Sequence, residues 1–355
     1  MNAGEIWWGQ IGNSLRLLTT VTNNLREGRS AVLQVPRNLP WRQDFYEAAG
    51  MRCAMLSAER RLARLRWDAH MGKPGEFILD ELCPDVRGEY WPGMTYARYL
   101  GSLEDHMLNV TDVWVTGIGS KKELALWEEF VAEYEQTARD PDARAVFILE
   151  YDGDRVESSR LALVDYTVEN YDCRVFALEA AAALGNTRQR NYQAELALSI
   201  CRNDPELCHE LLQTGEKLLH NPVKTAAEVI TRSCSSEGWF FAEMDDEVIQ
   251  SAAWEAAIVL LFPVMERYRM RFIARYKEEL SRHLPINNSN GERVKDPSDL
   301  EIGSLFYIVS NSAREFAPDD ARNITLCREV RNLLAHNKIV PLEDVCKVYA
   351  LKTEA

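Results

Sequence analysis

Three side chains near the end of the chain could together bind an anion and exchange a proton. Arg331, Asn332 and His336 lie within residues 327–338. Histidine exchanges protons near neutral pH, because its unperturbed pKa is about 6.5. Arginine is a permanent cation whose planar donor fork fits phosphate oxygens, and an asparagine can orient the imidazole or bind a phosphate oxygen. Together these groups could bind a phosphate group and transfer a proton beside it.

The element that must position these residues is a helix with one apolar stripe. Residues at intervals of three and four form the stripe, and they are Ile324, Cys327, Val330 and Leu334. Arg331 and His336 are separated by about 140° around such a helix. Asn332 and His336 are one turn apart and can touch. One helix can therefore line a groove with these groups, and a second copy of the helix could complete it.

The pattern Arg-Asn-x-x-Ala-His on an amphipathic helix resembles the signature of the HEPN superfamily, small helical bundles of which many are metal-independent ribonucleases. Arg331, Asn332 and His336 match its informative positions, and Lys338 adds a cation beside them. The resemblance covers roughly residues 248–352.

The resemblance implies four helices with the motif on the penultimate one. It also implies a homodimer in which two motif helices face each other across one phosphodiester, with no metal or cofactor. The expected activity is an endoribonuclease in a prokaryotic defence or toxin-like stress response. Its products would be a 2′,3′-cyclic phosphate, or the hydrolysed form of that phosphate, and a 5′-hydroxyl.

A non-catalytic interpretation of the same residues stays open. Arg331 could pair with Glu329 or Asp344, and His336 could be a cation that the dipole favours at a helix C-terminus. HEPN-like bundles also serve as interaction modules. The alternative function is therefore a non-catalytic adaptor or scaffold subunit of a larger defence complex.

A second cationic stretch precedes the motif and is predicted to bind single-stranded RNA. Its arginines are Arg267, Arg269, Arg271 and Arg275. They alternate with Tyr268, Phe272 and Tyr276, and such a surface suits RNA because cations follow phosphates and rings stack on bases. The aromatic spacing of four also suits a core stripe, so an amphipathic helix with solvated arginines is the competing interpretation.

Composition limits what the whole chain can do. Its 355 residues predict two or three domains. A net charge of −14 argues against nucleic-acid binding over the whole surface, so any RNA site must be a local basic patch.

The cysteines and the apolar runs indicate a cytoplasmic protein without a membrane segment. The eight cysteines include no C-x2-C pair, which favours reduced thiols over a zinc site. Cys201, Cys208 and His209 lack a fourth metal ligand, so buried thiols and a surface histidine are expected there. Residues 1–5 lack the features of a signal peptide, and the apolar run 256–264 is too short to span a bilayer.

The N-terminal part, residues 1–180, is predicted to be an α/β domain with a mostly parallel, doubly wound sheet. Apolar runs between helical patterns predict strands, and these runs are 30–35, 51–56, 77–79, 112–117, 145–150 and 173–178. Residues 181–247 are predicted to be a helical lid or connector, and 248–355 the HEPN-like domain.

The order of elements in the first part resembles a P-loop ATPase core of the STAND or AAA type that has lost its phosphate-binding loop. Residues 36–43 follow the first strand and contain two prolines, no glycine and no Lys-Ser/Thr pair. Residues 77–81 resemble the apolar-then-acidic strand end that holds magnesium in such enzymes. A non-hydrolysing sensor or scaffold that binds a protein partner is therefore expected. Arg37 and Arg42 could meet an anion, although a solvated loop is favoured.

Overall fold

The computed structural model describes residues 2–56, 59–103, 107–140, 142–157, 159–182, 187–233, 244–287 and 291–351. The chain divides into two units, Met1–Asp172 and Cys173–Ala355. The second unit contains both the predicted connector and the C-terminal helices.

A five-stranded parallel sheet forms the centre of the first unit. The strands are β1 (Ala31–Gln34), β2 (Arg61–Arg66), β3 (Thr111–Ile118), β4 (Val146–Tyr151) and β5 (Ala162–Asp165). Their order is β2-β3-β4-β1-β5, and every neighbouring pair is parallel. β1 and β4 are buried throughout, as expected for central strands covered on both faces. The prediction of an α/β fold with a parallel sheet is confirmed.

Helices cover both faces of this sheet. The α-helices are α1 (Ala3–Gln10), α2 (Gly12–Arg26), α3 (Arg42–Leu56), α4 (Pro74–Leu82), α5 (Tyr96–Ser102) and α6 (Lys121–Thr137). On one face, the ring of Phe45 in α3 meets Trp114 of β3 edge-on at 5.4 Å. On the other face, Phe130 and Tyr134 of α6 pack against Phe147 of β4. Short 3-10 helices span Ala69–Met71, Pro84–Glu89 and Met107–Val110.

Three runs that were predicted as strands are helical instead. Residues 51–56 end α3, residues 77–79 lie in α4, and residues 173–178 lie in α7 (Asn170–Ala182). A short apolar run suits a buried helix turn as well as a strand, and Pro74 at the first position of α4 favours a helix start there. Sequence reasoning missed two strands of this sheet, β2 and β5.

The second unit is helical. Its elements after α7 are α8 (Thr187–Cys201), α9 (Pro205–Gln213), α10 (Glu216–His220), α11 (Pro222–Ser233), α12 (Asp246–Arg275), α13 (Lys277–Arg282), β6 (Ile286–Asn287), β7 (Arg293–Val294), α14 (Ile302–Asn311), α15 (Pro318–Ala335) and α16 (Leu342–Tyr349). Short 3-10 helices span Pro297–Asp299 and Ala313–Glu315. The predicted break at 233–238 lies almost wholly outside the described residues.

The longest helix, α12, is the centre of this second unit. It packs against α8, α11, α15 and α16. Among the described residues, α12 alone is long and apolar enough to cross a membrane, with 39% of its most apolar window buried. Its contacts with four neighbouring helices are those of a core helix.

A buried carboxylate of β4 links helix α3 to strand β3 in the first unit. Glu150, at the end of β4, is 2% exposed and forms an ion pair with Arg42. It also accepts hydrogen bonds from Trp114 Nε1 at 2.9 Å and from Tyr46 Oη at 2.9 Å. Burial raises the pKa of Glu150, whereas the charge of Arg42 and the bonds from Trp114 and Tyr46 lower it. Burial raises the pKa of Tyr46 to about 12, so its hydroxyl remains a donor.

We predict that Glu150→Gln destabilises the protein by roughly 3 kcal/mol, because it leaves a partly buried Arg42 without its counter-charge. Urea unfolding would measure the change. Glu157→Gln is the matched control, since Glu157 is exposed in the same unit and should alter stability by less than about 0.5 kcal/mol. Equal stability of both variants would contradict this role of Glu150.

Candidate functional site

The apolar stripe of the motif helix is buried as predicted. Ile324, Cys327 and Val330 are 0% exposed and Leu334 is 3% exposed. Burial raises the pKa of Cys327 to about 12, so this thiol is a core group and not a nucleophile. The buried stripe fixes the rotation of α15, and Arg331 and His336 lie exposed off that stripe.

The end of α15 determines where His336 lies. His336 is the C-cap residue, just beyond the last helical residue, Ala335. The N–H of Lys338 donates to the Leu333 carbonyl at 3.0 Å, and the N–H of Asn337 donates to the Leu334 carbonyl at 3.3 Å. These two bonds form a Schellman motif, in which Asn337 adopts the left-handed conformation with a φ of 51°. The chain therefore turns sharply at the imidazole.

Two side chains of α12 hold this turn in place. Trp254 Nε1 donates to the Leu334 carbonyl at 2.6 Å, and Gln250 Nε2 donates to the Asn337 carbonyl at 3.0 Å. The two residues are one helical turn apart on α12, so they act side by side. Sequence reasoning assigned no role to either residue. The signal in the sequence that could have indicated this anchoring role is a Trp and a Gln one helical turn apart.

Arg331 and His336 occupy different surroundings within one protomer. Arg331 lines a cavity of about 400 Å³ together with Phe262, Glu266 and Arg269. His336 is not among the residues that line it. Asn332 is half-buried, and no hydrogen bond joins it to His336 in the described part of the chain. The structure thus brings Arg331 beside Arg269 and leaves His336 apart.

The non-catalytic pairings proposed for Arg331 are not formed among the described residues. Asp344 is instead paired with Lys347 at 3.2 Å, and no ion pair of Glu329 with Arg331 is present there. The side chains of Arg331, His336 and Lys338 are exposed, and they carry no ion pair within those ranges. They can meet a ligand from solvent.

The four arginines predicted to bind RNA differ in their availability. Arg269 is bound to Glu266 at 2.8 Å and to the Leu300 carbonyl at 2.9 Å. Arg275 pairs with Asp320 at 3.0 Å, although its side chain is 55% exposed. Arg271 is half-buried and interacts with other groups. Arg267 is exposed and forms no ion pair in the described ranges, so it is the most available of the four.

The aromatic residues between these arginines belong to the core. Tyr268, Phe272 and Tyr276 are 3%, 2% and 7% exposed, respectively. Tyr268 and Tyr276 donate hydrogen bonds to the two carboxylate oxygens of Asp320, at 2.8 and 2.7 Å, and tie α12 to the first turn of α15. Their rings cannot stack on bases in this arrangement, so the competing interpretation of a core stripe describes them correctly.

In the first unit, the loop after β1 is held by the protein's own donors. Arg42 Nη2 donates to the Arg37 carbonyl at 2.9 Å, and Trp8 Nε1 donates to the Pro40 carbonyl at 3.0 Å. Arg42 also pairs with Glu150, so the expectation that it lies in a solvated loop is wrong. Arg37 is exposed, and its Nε donates to the Asp152 carbonyl at 3.3 Å.

The acidic pair expected at a strand end lies on a helix. Asp80 and Glu81 follow the buried residues 77–79 within α4, and Asp80 pairs with Arg87. The likeness to a magnesium-holding strand end is therefore wrong for this segment. In the described part of the chain, no group of three or more His, Cys, Asp and Glu side chains could hold a metal ion.

Cys201 and Cys208 are buried, as expected, and His209 is only half-buried. Burial lowers the pKa of His209, while Glu210 raises it. These residues therefore lie within or against the core of the helical unit.

Comparisons with protein-family models, with curated proteins and with solved structures find no match. The candidate site is defined by its own residues, Arg331, Asn332, His336 and Lys338.

We predict that Asn337→Ala destabilises the protein by about 1 kcal/mol relative to Asn337→Gly, because alanine is strained at positive φ and glycine is not. Both variants lose the same side-chain amide, so their difference isolates the backbone conformation at the cap. Denaturant unfolding of the two proteins would measure it. An alanine variant as stable as the glycine variant would show that the turn at His336 is not constrained in this way.

Proposed function

We propose that this protein is a metal-independent endoribonuclease of the HEPN type that cuts single-stranded RNA in the cytoplasm, in a defence or toxin-like stress response. The observation that carries the proposal is the exposure of a cation and a proton carrier, Arg331 and His336, at the last turn and cap of one anchored helix. Neither forms an ion pair in the described residues, although acidic residues outnumber basic ones, 55 to 41.

The proposed reaction is an internal transesterification. The imidazole of His336 accepts the proton of the ribose 2′-hydroxyl, whose oxygen then attacks the adjacent phosphorus. The bond from phosphorus to the 5′-oxygen breaks, and that oxygen leaves as a hydroxyl after receiving a proton. Arg331 stabilises the negative charge that develops on the phosphorane oxygens. Asn332 orients the imidazole or a phosphate oxygen, and Lys338 holds the neighbouring strand.

A homodimer would complete the site. Two proton transfers are needed at one phosphodiester, and two copies of His336 could supply them. The separate surroundings of Arg331 and His336 within one protomer support a composite cleft, as does the resemblance to dimeric HEPN ribonucleases. Arg267 is the best placed of the predicted arginines to guide the RNA strand, since it is exposed and forms no ion pair in the described ranges.

The first unit is proposed to be a sensor or scaffold that binds a protein partner and does not hydrolyse nucleotides. Its strand order, β5-β1-β4-β3-β2 when read from the other edge, is compatible with a P-loop-like core. Prolines at 36 and 40 remove two N–H donors from the loop that would hold phosphates, and Arg42 and Trp8 bind carbonyls of that loop.

A non-catalytic adaptor is the second candidate function. Large apolar side chains are exposed on α12 and α14, including Phe262 at 45%, Met270 at 62% and Tyr307 at 63%. Exposed apolar residues of this kind suit a partner surface. An adaptor would bind its partner equally well after Arg331 and His336 are replaced.

We predict that purified protein cuts single-stranded RNA in the presence of EDTA, and that Arg331→Ala and His336→Ala each lower the rate at least about 100-fold, the scale of a lost acid–base or charge-stabilising group. Gel analysis of a labelled oligonucleotide would measure the rates.

Matched controls for these two variants exist in the same unit. Arg322→Ala removes an exposed arginine of α15 that pairs only with Asp319 nearby, and His220→Ala removes an exposed histidine. Both should keep wild-type rates. Cleavage that survives in Arg331→Ala and His336→Ala, with all four variants folded, would exclude this nuclease site.

A further inference from the structure

The strand at one edge of the sheet carries a row of unneutralised arginines. β2 is the edge strand next to β3, and Arg61, Arg64 and Arg66 are exposed on it. None of the three forms an ion pair within the described ranges. The neighbouring Arg60 differs, since it pairs with Asp112 at 2.7 Å and its side chain is only 19% exposed.

Most other arginines of the first unit lie beside an acidic group. Arg42 pairs with Glu150, Arg87 with Asp80, and Arg98 with Glu133. In a chain with a net charge of −14, three arginines on one strand that carry no ion pair in the described ranges form a local positive surface. The acidic residues that flank the strand, Glu59 and Asp68, lie beyond its ends.

One of these guanidinium groups is held in position. Arg64 lies over the ring of Tyr46 at 4.3 Å from its centroid, and the Tyr46 hydroxyl is fixed by Glu150. A stacked arginine loses little further freedom when it binds a phosphate. Arg64 and Arg66 point to the same face of the sheet because they are two residues apart.

The spacing of Arg64 and Arg66 matches a polyanionic strand, and Arg61, three residues from Arg64, extends the positive charge along the other face of the same edge strand. Two residues of a β-strand span about 6.6 Å, and two stacked nucleotides rise by about 6.8 Å. Arginine also binds phosphate oxygens through two parallel hydrogen bonds. We infer that the β2 edge, defined by Arg61, Arg64 and Arg66, binds the phosphate backbone of a nucleic-acid strand. This surface lies in the sheet unit and does not depend on the proposed cleavage site.

Edge strands also carry charged side chains that prevent pairing with another chain. An experiment can distinguish this explanation of the three arginines from phosphate binding. Protection of an edge requires charge of either sign, whereas phosphate binding requires positive charge. Charge reversal therefore preserves protection and removes binding. Replacement by lysine preserves the positive charge, and with it edge protection and the electrostatic part of phosphate binding.

The test uses the full-length His336→Ala protein, so that RNA stays intact whether or not the chain is a nuclease. Fluorescence anisotropy with a labelled oligouridylate, and in parallel an oligothymidylate, measures binding at several salt concentrations. Arg61→Glu/Arg64→Glu/Arg66→Glu should weaken binding at least about tenfold and reduce the slope of log affinity against log salt by about 2, since each phosphate contact contributes about 0.7. The corresponding lysine variant should keep the salt slope of the parent, because it keeps the three positive charges, and should lose less affinity than the glutamate variant.

The matched control reverses three exposed arginines elsewhere in the same unit, Arg16, Arg155 and Arg160, and so changes net charge equally. It should leave the salt slope unchanged. Unchanged binding by the β2 variant, an equal loss in the control, or binding of polyglutamate in place of both oligonucleotides would each overturn the inference. Equal binding of the RNA and DNA probes would support backbone recognition.

Discussion

The carbonyl oxygen of Leu334 is the point on which the C-terminal site depends. It accepts hydrogen bonds from the indole of Trp254 and from the N–H of Asn337, so it joins the long core helix to the turn that ends α15. The buried stripe fixes the rotation of α15 about its axis, and this carbonyl fixes where the helix stops. His336 follows directly. Exposure of its imidazole is thus a consequence of core packing and backbone hydrogen bonding.

The fold was predictable from sequence where the pattern was long or bounded by strong turn residues. β1 opens with three consecutive apolar residues and β4 with four, and the 17-residue helix α6 buries one apolar side. Short apolar runs gave wrong strands at residues 51–56 and 77–79, because a run of this length has no period of its own and packing decides its conformation. β2 was missed since arginines at three of its positions face solvent at a sheet edge.

Around the candidate site, the burial of the apolar stripe was predictable. The setting of the site was not. The separation of Arg331, at the cavity beside Arg269, from His336, at the cap, arises from long-range contacts of α12 that local spacing does not encode. The aromatic residues of α12 illustrate the same limit. Tyr268 and Tyr276 have the spacing of a stacking surface, but each donates a hydrogen bond to Asp320, and both rings lie in the core.

The central claim is that Arg331 and His336 from two protomers serve one phosphodiester. Refolding wild-type protein together with an equal amount of the Arg331→Ala/His336→Ala double variant tests it most directly. A mixed dimer then has one copy of each group in a cleft that needs both copies of His336, so only dimers of two wild-type chains should cut RNA. We predict about a quarter of the cleavage given by the same total amount of wild-type protein, because a quarter of randomly paired dimers contain two wild-type chains. About half of that cleavage, in a preparation shown to contain mixed dimers, is the result for chains that act independently and would contradict the composite site.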